Sequence, residues 1–256
     1  MAALLLQEQA WPDVEAYLGK DDRIIIPVGS TEQHGRFAPL GNDTYVTMTV
    51  AEDASERSGV LVTPPMWFGW SPHHMACPGT ITIRAEVLIE VLADAIESLA
   101  EHGFRKFVAV NGHRLTNIPW LQIAAERVQR KLGVKVVIFD PIYMCKEIAA
   151  DMGFASIGHA DDCETSHMLY RYPHLMKMEN AKDNPFEPQP LYHMDPREPQ
   201  DTLCYVPMTA RGLKQIVDDT GDAIFGNPTA ATAEKGKKYH DHLVQRLIEV
   251  LDMLKD

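Results

Sequence analysis

Three short stretches of this chain hold residue types that can bind metal ions or move protons. The first is Gly29-Ser30-Thr31-Glu32-Gln33-His34-Gly35, which follows an apolar run at 24–28 and precedes Asp43. Glu32 and His34 are two apart, and in extended backbone residues i and i+2 project to the same side. A carboxylate and an imidazole therefore converge. Asp43 falls at the start of the next helix, where it can project back to the same point or act only as a cap or helix-dipole partner. The second stretch is Asn111-Gly112-His113, directly after the apolar run 107–110. Gly112 permits a tight turn and close backbone approach. His113 taken alone would be a structural histidine; a second strand end offering imidazole and carboxylates makes it a ligand candidate. The third is His159-Ala160-Asp161-Asp162-Cys163-Glu164-Thr165-Ser166. Its acidic residues fall in the first turn of a helix ending near Arg171. For Asp161 and Asp162 the favourable interaction of carboxylates with a helix N-terminus suffices; Glu164 and His159 join the other two clusters. Glu32, His34, Asp43, His113 and Glu164 form an imidazole and carboxylate set that suits zinc, manganese or iron, and not a thiolate-rich structural zinc site. Five such ligands exceed the need of one four-coordinate ion, so two ions sharing a carboxylate is the simpler account.

The elements that must position these residues are legible from hydrophobic patterning. The runs 24–28, 60–63, 107–110 and 134–139 are short, rich in β-branched residues and apolar at consecutive positions, as in strands buried on both faces of a parallel sheet. Between them, Val87, Leu88, Val91, Leu92, Ala95, Ile96 and Leu99 recur at helical spacing over 84–102, and 44–58 and 115–132 also read as helices. The alternation predicts an α/β fold: one domain over 1–256, a three-layer α/β/α sandwich with a mostly parallel central sheet. In open sheets of this kind ligands bind at the carboxyl ends of strands, where the first two clusters lie. The stretch 173–228 holds 8 of the 17 prolines, including Pro185, Pro188, Pro190, Pro196 and Pro199. It reads as a surface excursion with a short hairpin, a lid or a subunit contact. Gly226-Asn227-Pro228-Thr229 reads as a helix start, with Asn227 as N-cap and Pro228 at the first helical position. The last helix carries Leu243, Leu247, Val250, Leu251 and Leu254 on one face.

Composition excludes several classes. Twenty-four Lys and Arg against 36 Asp and Glu give a formal charge of −12. Such a chain repels nucleic acid and anionic membranes, so neither is an expected partner. No apolar window approaches the roughly 18 residues of a membrane span. The start, Met-Ala-Ala-Leu-Leu-Leu-Gln-Glu, lacks the basic region of a secretory signal. Cys77, Cys145, Cys163 and Cys204 show no paired spacing and read as reduced thiols of a cytoplasmic protein.

Five blocks together resemble the creatininase (creatinine amidohydrolase) family. They are Pro27-Val28-Gly29-Ser30-Thr31-Glu32-Gln33-His34-Gly35 with Pro39-Leu40 and Asp43; Pro78-Gly79-Thr80; Asn111-Gly112-His113; His159-Ala160 with Glu164-Thr165-Ser166; and Gly226-Asn227-Pro228 with Ala231-Thr232-Ala233-Glu234-Lys235-Gly236. The resemblance implies an α/β/α fold, a dinuclear centre of two divalent ions (zinc first, manganese or iron as alternatives) and a homohexamer. By motif, Glu32, Asp43 and His113 would hold one ion and His34, Asp43 and Glu164 the other, with Asp43 bridging. His159 would be the catalytic acid–base residue. His74 matches the histidine that relatives carry shortly before Pro-Gly-Thr and is a substrate-contact candidate. Trp70, in Trp67-Phe68-Gly69-Trp70-Ser71-Pro72-His73-His74, would lie near the active-site mouth, core or subunit packing being its other reading. The implied reaction is attack of a metal-activated water on an amide carbon, with the ions stabilising the oxyanion and His159 protonating the leaving nitrogen.

The chain also departs from the family pattern. Relatives commonly read Asn-Gly-His-Gly-Gly-Asn, and creatininase has a glutamate two residues after that histidine. Here the run is His113-Arg114-Leu115-Thr116-Asn117, so Leu115 stands in the glutamate's place, and Asp161 stands where relatives often have Gly. Creatinine is therefore not the expected substrate. Arg114 would clamp a substrate carboxylate or be a structural arginine. The expected function is cleavage of an amide, lactam or formamide C–N bond, other than a peptide bond, in a small molecule. A metallohydrolase of phosphate or other esters is the less favoured reading, because the chain is acidic and lacks a Gly-rich phosphate cradle. A non-catalytic metal-binding scaffold hexamer is a third; the retained ligand set argues against it.

Overall fold

The structure is a computed structural model that describes residues 2–154, 158–185, 192–193, 202–203 and 207–255. Its elements in chain order are α1 (Trp11–Leu18), β1 (Arg23–Val28), α2 (Asn42–Ser58), β2 (Leu61–Val62), α3 (Ala85–His102), β3 (Lys106–Asn111), α4 (Arg114–Leu132), β4 (Lys135–Phe139), α5 (Pro141–Met144), α6 (Lys146–Ala149), α7 (Asp162–Arg171), β5 (Tyr192–His193), β6 (Thr202–Leu203), α8 (Ala210–Thr220) and α9 (Ala233–Met253).

The four apolar runs form one sheet in the order β2-β1-β3-β4, every pairing parallel. The register sets Val28 of β1 beside Asn111 of β3, which brings the two motif-bearing strand ends together. Side chains alternate across the sheet. Ile25, Val108, Val110 and Phe139 face one core layer with Val50 and Ala54 of α2 and Leu243, Val244 and Leu247 of α9. Ile24, Ile26, Phe107 and Ala109 face the other, with Leu88, Leu92 and Ile96 of α3 and Trp120, Leu121 and Ala124 of α4. Each Val, Leu, Ile or Phe among them contributes about 1.5–3 kcal/mol by leaving water. Both faces are covered by helices, so the layers are α/β/α, as the runs predict.

The excursion after α7 differs in detail from expectation. A short antiparallel pairing does occur, Tyr192 with Leu203 and His193 with Thr202. Pro188, Pro190, Pro196 and Pro199 lie outside the described residues. Helix α8, which the proline content concealed, is capped by the Thr209 hydroxyl accepting from the Gly212 amide, and it packs against a short turn at Pro72–Ala76.

The predicted helix start at Asn227 is corrected. Pro228 begins only a single 3-10 turn, Pro228–Ala230, and Asn227 makes no side-chain cap. The chain then runs extended through Ala231 and Thr232, and the Thr232 hydroxyl caps α9 by accepting from the Lys235 amide. Leu243, Leu247, Leu251 and Leu254 are buried as expected, and Val250 packs at the edge of that core. Cys77, Cys145 and Cys163 are free thiols. No helix among the described residues is long and apolar enough to cross a membrane.

Candidate metal centre

Two glycines let the strand ends press against the first turn of α2. A Cβ on Gly29 would lie 2.1 Å from the Thr44 hydroxyl and 2.5 Å from its Cα. One on Gly112 would lie 2.3 Å from the Asp43 carbonyl oxygen. The Asn117 amide braces the same corner by donating to the Gly29 carbonyl (3.1 Å) and to Asn111 Oδ1 (3.3 Å). Asp43 is thereby wedged between the loops after β1 and β3. Gly112→Ala is expected to destabilise the fold by about 1–3 kcal/mol, because backbone must move to admit the methyl. A urea-unfolding midpoint equal to wild type would show that the close approach is not a constraint.

Around Asp43 the expected ligands converge. His113 Nδ1 lies 3.1 Å from Glu32 Oε1 and 3.4 Å from Asp43 Oδ2. His34 Nε2 lies 3.0 Å from Asp43 Oδ1 and 3.6 Å from Glu164 Oε2. Asp43 thus turns one oxygen to each set. The donor atoms of Glu32, Asp43 and His113, and those of His34, Asp43 and Glu164, each fall within 4.8 Å of one another. Glu32 Oε1, His34 Nε2 and Asp43 Oδ2 are buried and make no hydrogen bond among the described residues. Buried polar atoms are ordinarily paired; a set of orphans aimed at common points fits bound cations.

The remaining donors and acceptors hold these ligands in place. The Ser71 hydroxyl donates to Glu32 Oε2 (2.5 Å), and the Ser30 hydroxyl lies 3.0 Å from the same oxygen. His113 Nε2 faces the hydroxyls of Thr116 and Ser71, and His34 Nδ1 faces the Glu32 carbonyl at 3.2 Å. Each imidazole is anchored by one nitrogen and offers the other, as metal-binding histidines do. The Ala160 amide donates to Glu164 Oε2 (2.8 Å). Ala160 itself is in the left-handed region, at φ 51°. Asp161 caps α7, accepting from the amides of Cys163 and Glu164, which is the structural role expected of it.

Electrostatics report the same crowding of carboxylates. Burial pulls the His34 and His113 imidazoles down, but the Asp43 carboxylate against His34 and the Glu32 carboxylate against His113 outweigh it and push both up to about 10. Burial favours protonation of Glu32, yet His113 and His74 hold it well below the usual carboxylate range. Burial raises the Glu164 carboxyl to about 8 against the pull of His34. Without a cation, protons neutralise this set.

The other predicted residues fall around the same point. His159 sits 4.5 Å from His34 and 4.3 Å from His74, ring to ring. Its Nε2 lies 2.7 Å from the Gln33 backbone carbonyl and 2.8 Å from the Gln33 side-chain amide, and its Nδ1 lies 3.9 Å from Glu32 Oε1. Burial, reinforced by His34, lowers His159 to about 3. His74 Nε2 approaches Glu32 Oε1 at 3.3 Å, and its Nδ1 lies 2.9 Å from the Gln33 side-chain amide. Trp70 is half-buried: it packs on the core layer under α3 and α4 and also lines the cavity. Arg114 reaches the cavity too, with its Nε 3.0 Å from Asp140 Oδ2. Ser71, Gln33 and Thr116 were missed by sequence reasoning. Gln33 lies inside the first motif and was available; Ser71 and Thr116 carry no local signal, because their contacts come from loops brought together by the sheet.

A cavity of about 330 Å³ is lined by Glu32, His113, His159 and Glu164, together with Trp70, His73, Leu115, Ile142 and Met208. A sequence profile of the creatininase family, described as creatinine amidohydrolase, matches residues 7–251. The chain belongs to the creatininase family. It is 31% identical to 3-dehydro-scyllo-inosose hydrolase from Thermotoga maritima, over 97% of this chain and 81% of that protein. It is 28% identical to the mycofactocin precursor peptide peptidase of Mycobacterium ulcerans, over 86% of this chain and 81% of that one. Its fold matches a creatininase mutant, E122Q, complexed with creatine, at TM-score 0.80 and 25% identity, covering 99% of this chain and all of the other. Related creatininase structures are described as zinc–zinc and manganese forms. The α/β/α expectation is met, and the activity class of this creatininase-family chain is metal-dependent hydrolysis, of the amidohydrolase type, of a small molecule.

Proposed function

We propose that the chain binds two divalent ions, zinc foremost, and cleaves a non-peptide C–N bond in a small neutral amide or lactam. The observation that carries this is the pair of candidate ligand sets sharing Asp43, with orphaned buried atoms, beside a small cavity that Glu32, His113 and Glu164 line. Glu32, Asp43 and His113 would hold one ion and His34, Asp43 and Glu164 the other. When bound, such ions supply Lewis acidity toward a carbonyl and lower the pKa of water. The Gln33 carbonyl against Nε2 would hold His159 in the tautomer with Nδ1 unprotonated, and Nδ1 would take a proton and return it to the leaving nitrogen. His74 and Trp70 would shape the substrate's seat. Arg114 reaches the wall paired with Asp140, and a paired wall suits an uncharged substrate better than the carboxylate clamp expected from sequence. We place the enzyme in the cytoplasm as a homohexamer, in line with its reduced thiols and the family resemblance.

A second reading is hydrolytic opening of a polyhydroxylated ring ketone, favoured by the 31% identity to the inosose hydrolase. An inosose is a carbocycle, so that reaction breaks no bond to nitrogen. A panel of lactams, formamides, short peptides and inososes on zinc- and manganese-loaded protein separates the two. His159→Gln is expected to keep its metal and to lose about 10²–10⁴-fold in kcat. Full activity in that variant would remove His159 from the mechanism, and turnover of inososes alone would replace the C–N reading.

A further inference from the structure

One turn beyond Glu164 on α7, a second polar side chain reaches the cavity. His167 is 1% exposed and lines the same cavity as Glu32, His159 and Glu164. Behind it runs a chain of hydrogen bonds that crosses three helices. His167 Nε2 lies 2.9 Å from His240 Nδ1 on α9, and His240 Nε2 lies 2.7 Å from Asp53 Oδ2 on α2. Both Asp53 oxygens accept from Arg171 of α7, at 3.0 and 3.1 Å.

With both imidazoles neutral, the chain has one consistent set of proton positions. A carboxylate gripped by a guanidinium accepts and does not donate, so His240 Nε2 must carry hydrogen. A neutral His240 then accepts at Nδ1, so His167 must donate from Nε2. A neutral His167 is left with a bare lone pair on Nδ1. Burial holds both imidazoles below their ordinary range, in keeping with the neutral forms. His167 Nδ1 is buried and has no hydrogen-bond partner among the described residues. The two nitrogens of an imidazole point to nearly opposite sides. With Nε2 turned toward α9, Nδ1 lies on the other edge of a ring that lines the cavity. A buried acceptor without a partner weakens a fold, and a ligand that supplies a donor would complete it.

We infer that His167 is a substrate-recognition residue, whose Nδ1 accepts a hydrogen bond from an N–H or O–H group of the substrate. This rests on the cavity being the substrate site proposed above. The substrate must then carry a donor on the side facing α7, such as a lactam N–H or a ring hydroxyl. A site built around a buried acceptor rejects analogues that lack the donor.

The test uses zinc-loaded protein with ¹⁵N-labelled histidine and two probes, 2-pyrrolidinone and its N-methyl derivative. In the free protein His167 Nδ1 should resonate as an unprotonated nitrogen and Nε2 as a protonated one. The N–H lactam should shift Nδ1 and the N-methyl lactam should not. His167→Phe should bind the N–H lactam at least about tenfold more weakly and lose the discrimination. A protonated Nδ1, or an Nδ1 signal unmoved at the highest lactam concentration, overturns the inference, and that wild-type measurement stands even if the variant misfolds. Discrimination that survives in a folded His167→Phe does the same. Failure of the dinuclear reading is a separate result: wild-type protein that takes up no zinc.

Discussion

Asp43→Ala is expected to empty both metal positions at once. Asp43 is the residue common to the two ligand sets, with Oδ1 beside His34 and Oδ2 beside His113. Removing it takes a ligand from each set. Protein purified without chelator should carry about two ions per chain in wild type, as a two-metal hydrolytic site requires, and well under one in Asp43→Ala. Glu164→Gln should behave differently. It touches only the His34 set, so about one ion should remain. Plasma mass spectrometry of the three proteins decides the matter. Equal loss in both variants would mean a single site; no loss in Asp43→Ala would mean that the ions, if any, bind elsewhere.

The second large effect concerns pH. Metal-free protein is expected to lose stability as pH rises from about 6 to about 10, and metal-loaded protein is not. His34 and His113 are raised from 6.5 to about 10 in the fold. A group raised above its unfolded value contributes stability that is fully present below the unfolded pKa and lost as pH climbs through the folded one. Both histidines therefore stop stabilising the metal-free fold across that window. Glu164, raised from 4.5 to about 8, acts in the same direction, more weakly because its side chain is 27% exposed. Glu32 and Asp43 are depressed, so their contribution is present above 4.5 and 3.8 and is lost only in acid. Bound ions replace the protons on His34 and His113, and binding must release them. The gap in melting temperature between zinc-loaded and chelator-treated protein should widen by roughly 5–10 °C between pH 6 and pH 9. A gap that is constant or narrows with pH would mean that zinc does not occupy these two imidazoles.

Much of this protein was written locally. The strands at 24–28 and 107–110 were legible because a strand buried on both faces needs consecutive apolar residues. The candidate ligands Glu32, His34, Asp43, His113 and Glu164 stood out because each lies in a short block of distinctive composition, at a strand end or a helix start. A helix-terminus role for Asp161 was legible because a carboxylate is favoured at a helix N-terminus; its place as the capping residue came from the structure. The same local logic misplaced the start of α9, because Asn-Pro also opens a single 3-10 turn, and it hid α8 within a proline-rich stretch.

Tertiary structure alone decided the partners. Arg114 and Asp140 are 26 residues apart, Ser71 and Glu32 are 39, and His240 and Asp53 are 187. No periodicity encodes such pairs. They exist because the parallel register sets β1 beside β3 and the helices then fix which side chains meet across a gap. The sequence by itself determined which atoms could bind metal. Packing decided which nitrogen of each imidazole faces inward, which arginine is paired, and that His167 Nδ1 has no hydrogen-bond partner among the described residues. Hydrogen-bond geometry depends on fractions of an ångström between chain segments, and only the assembled core sets distances that finely.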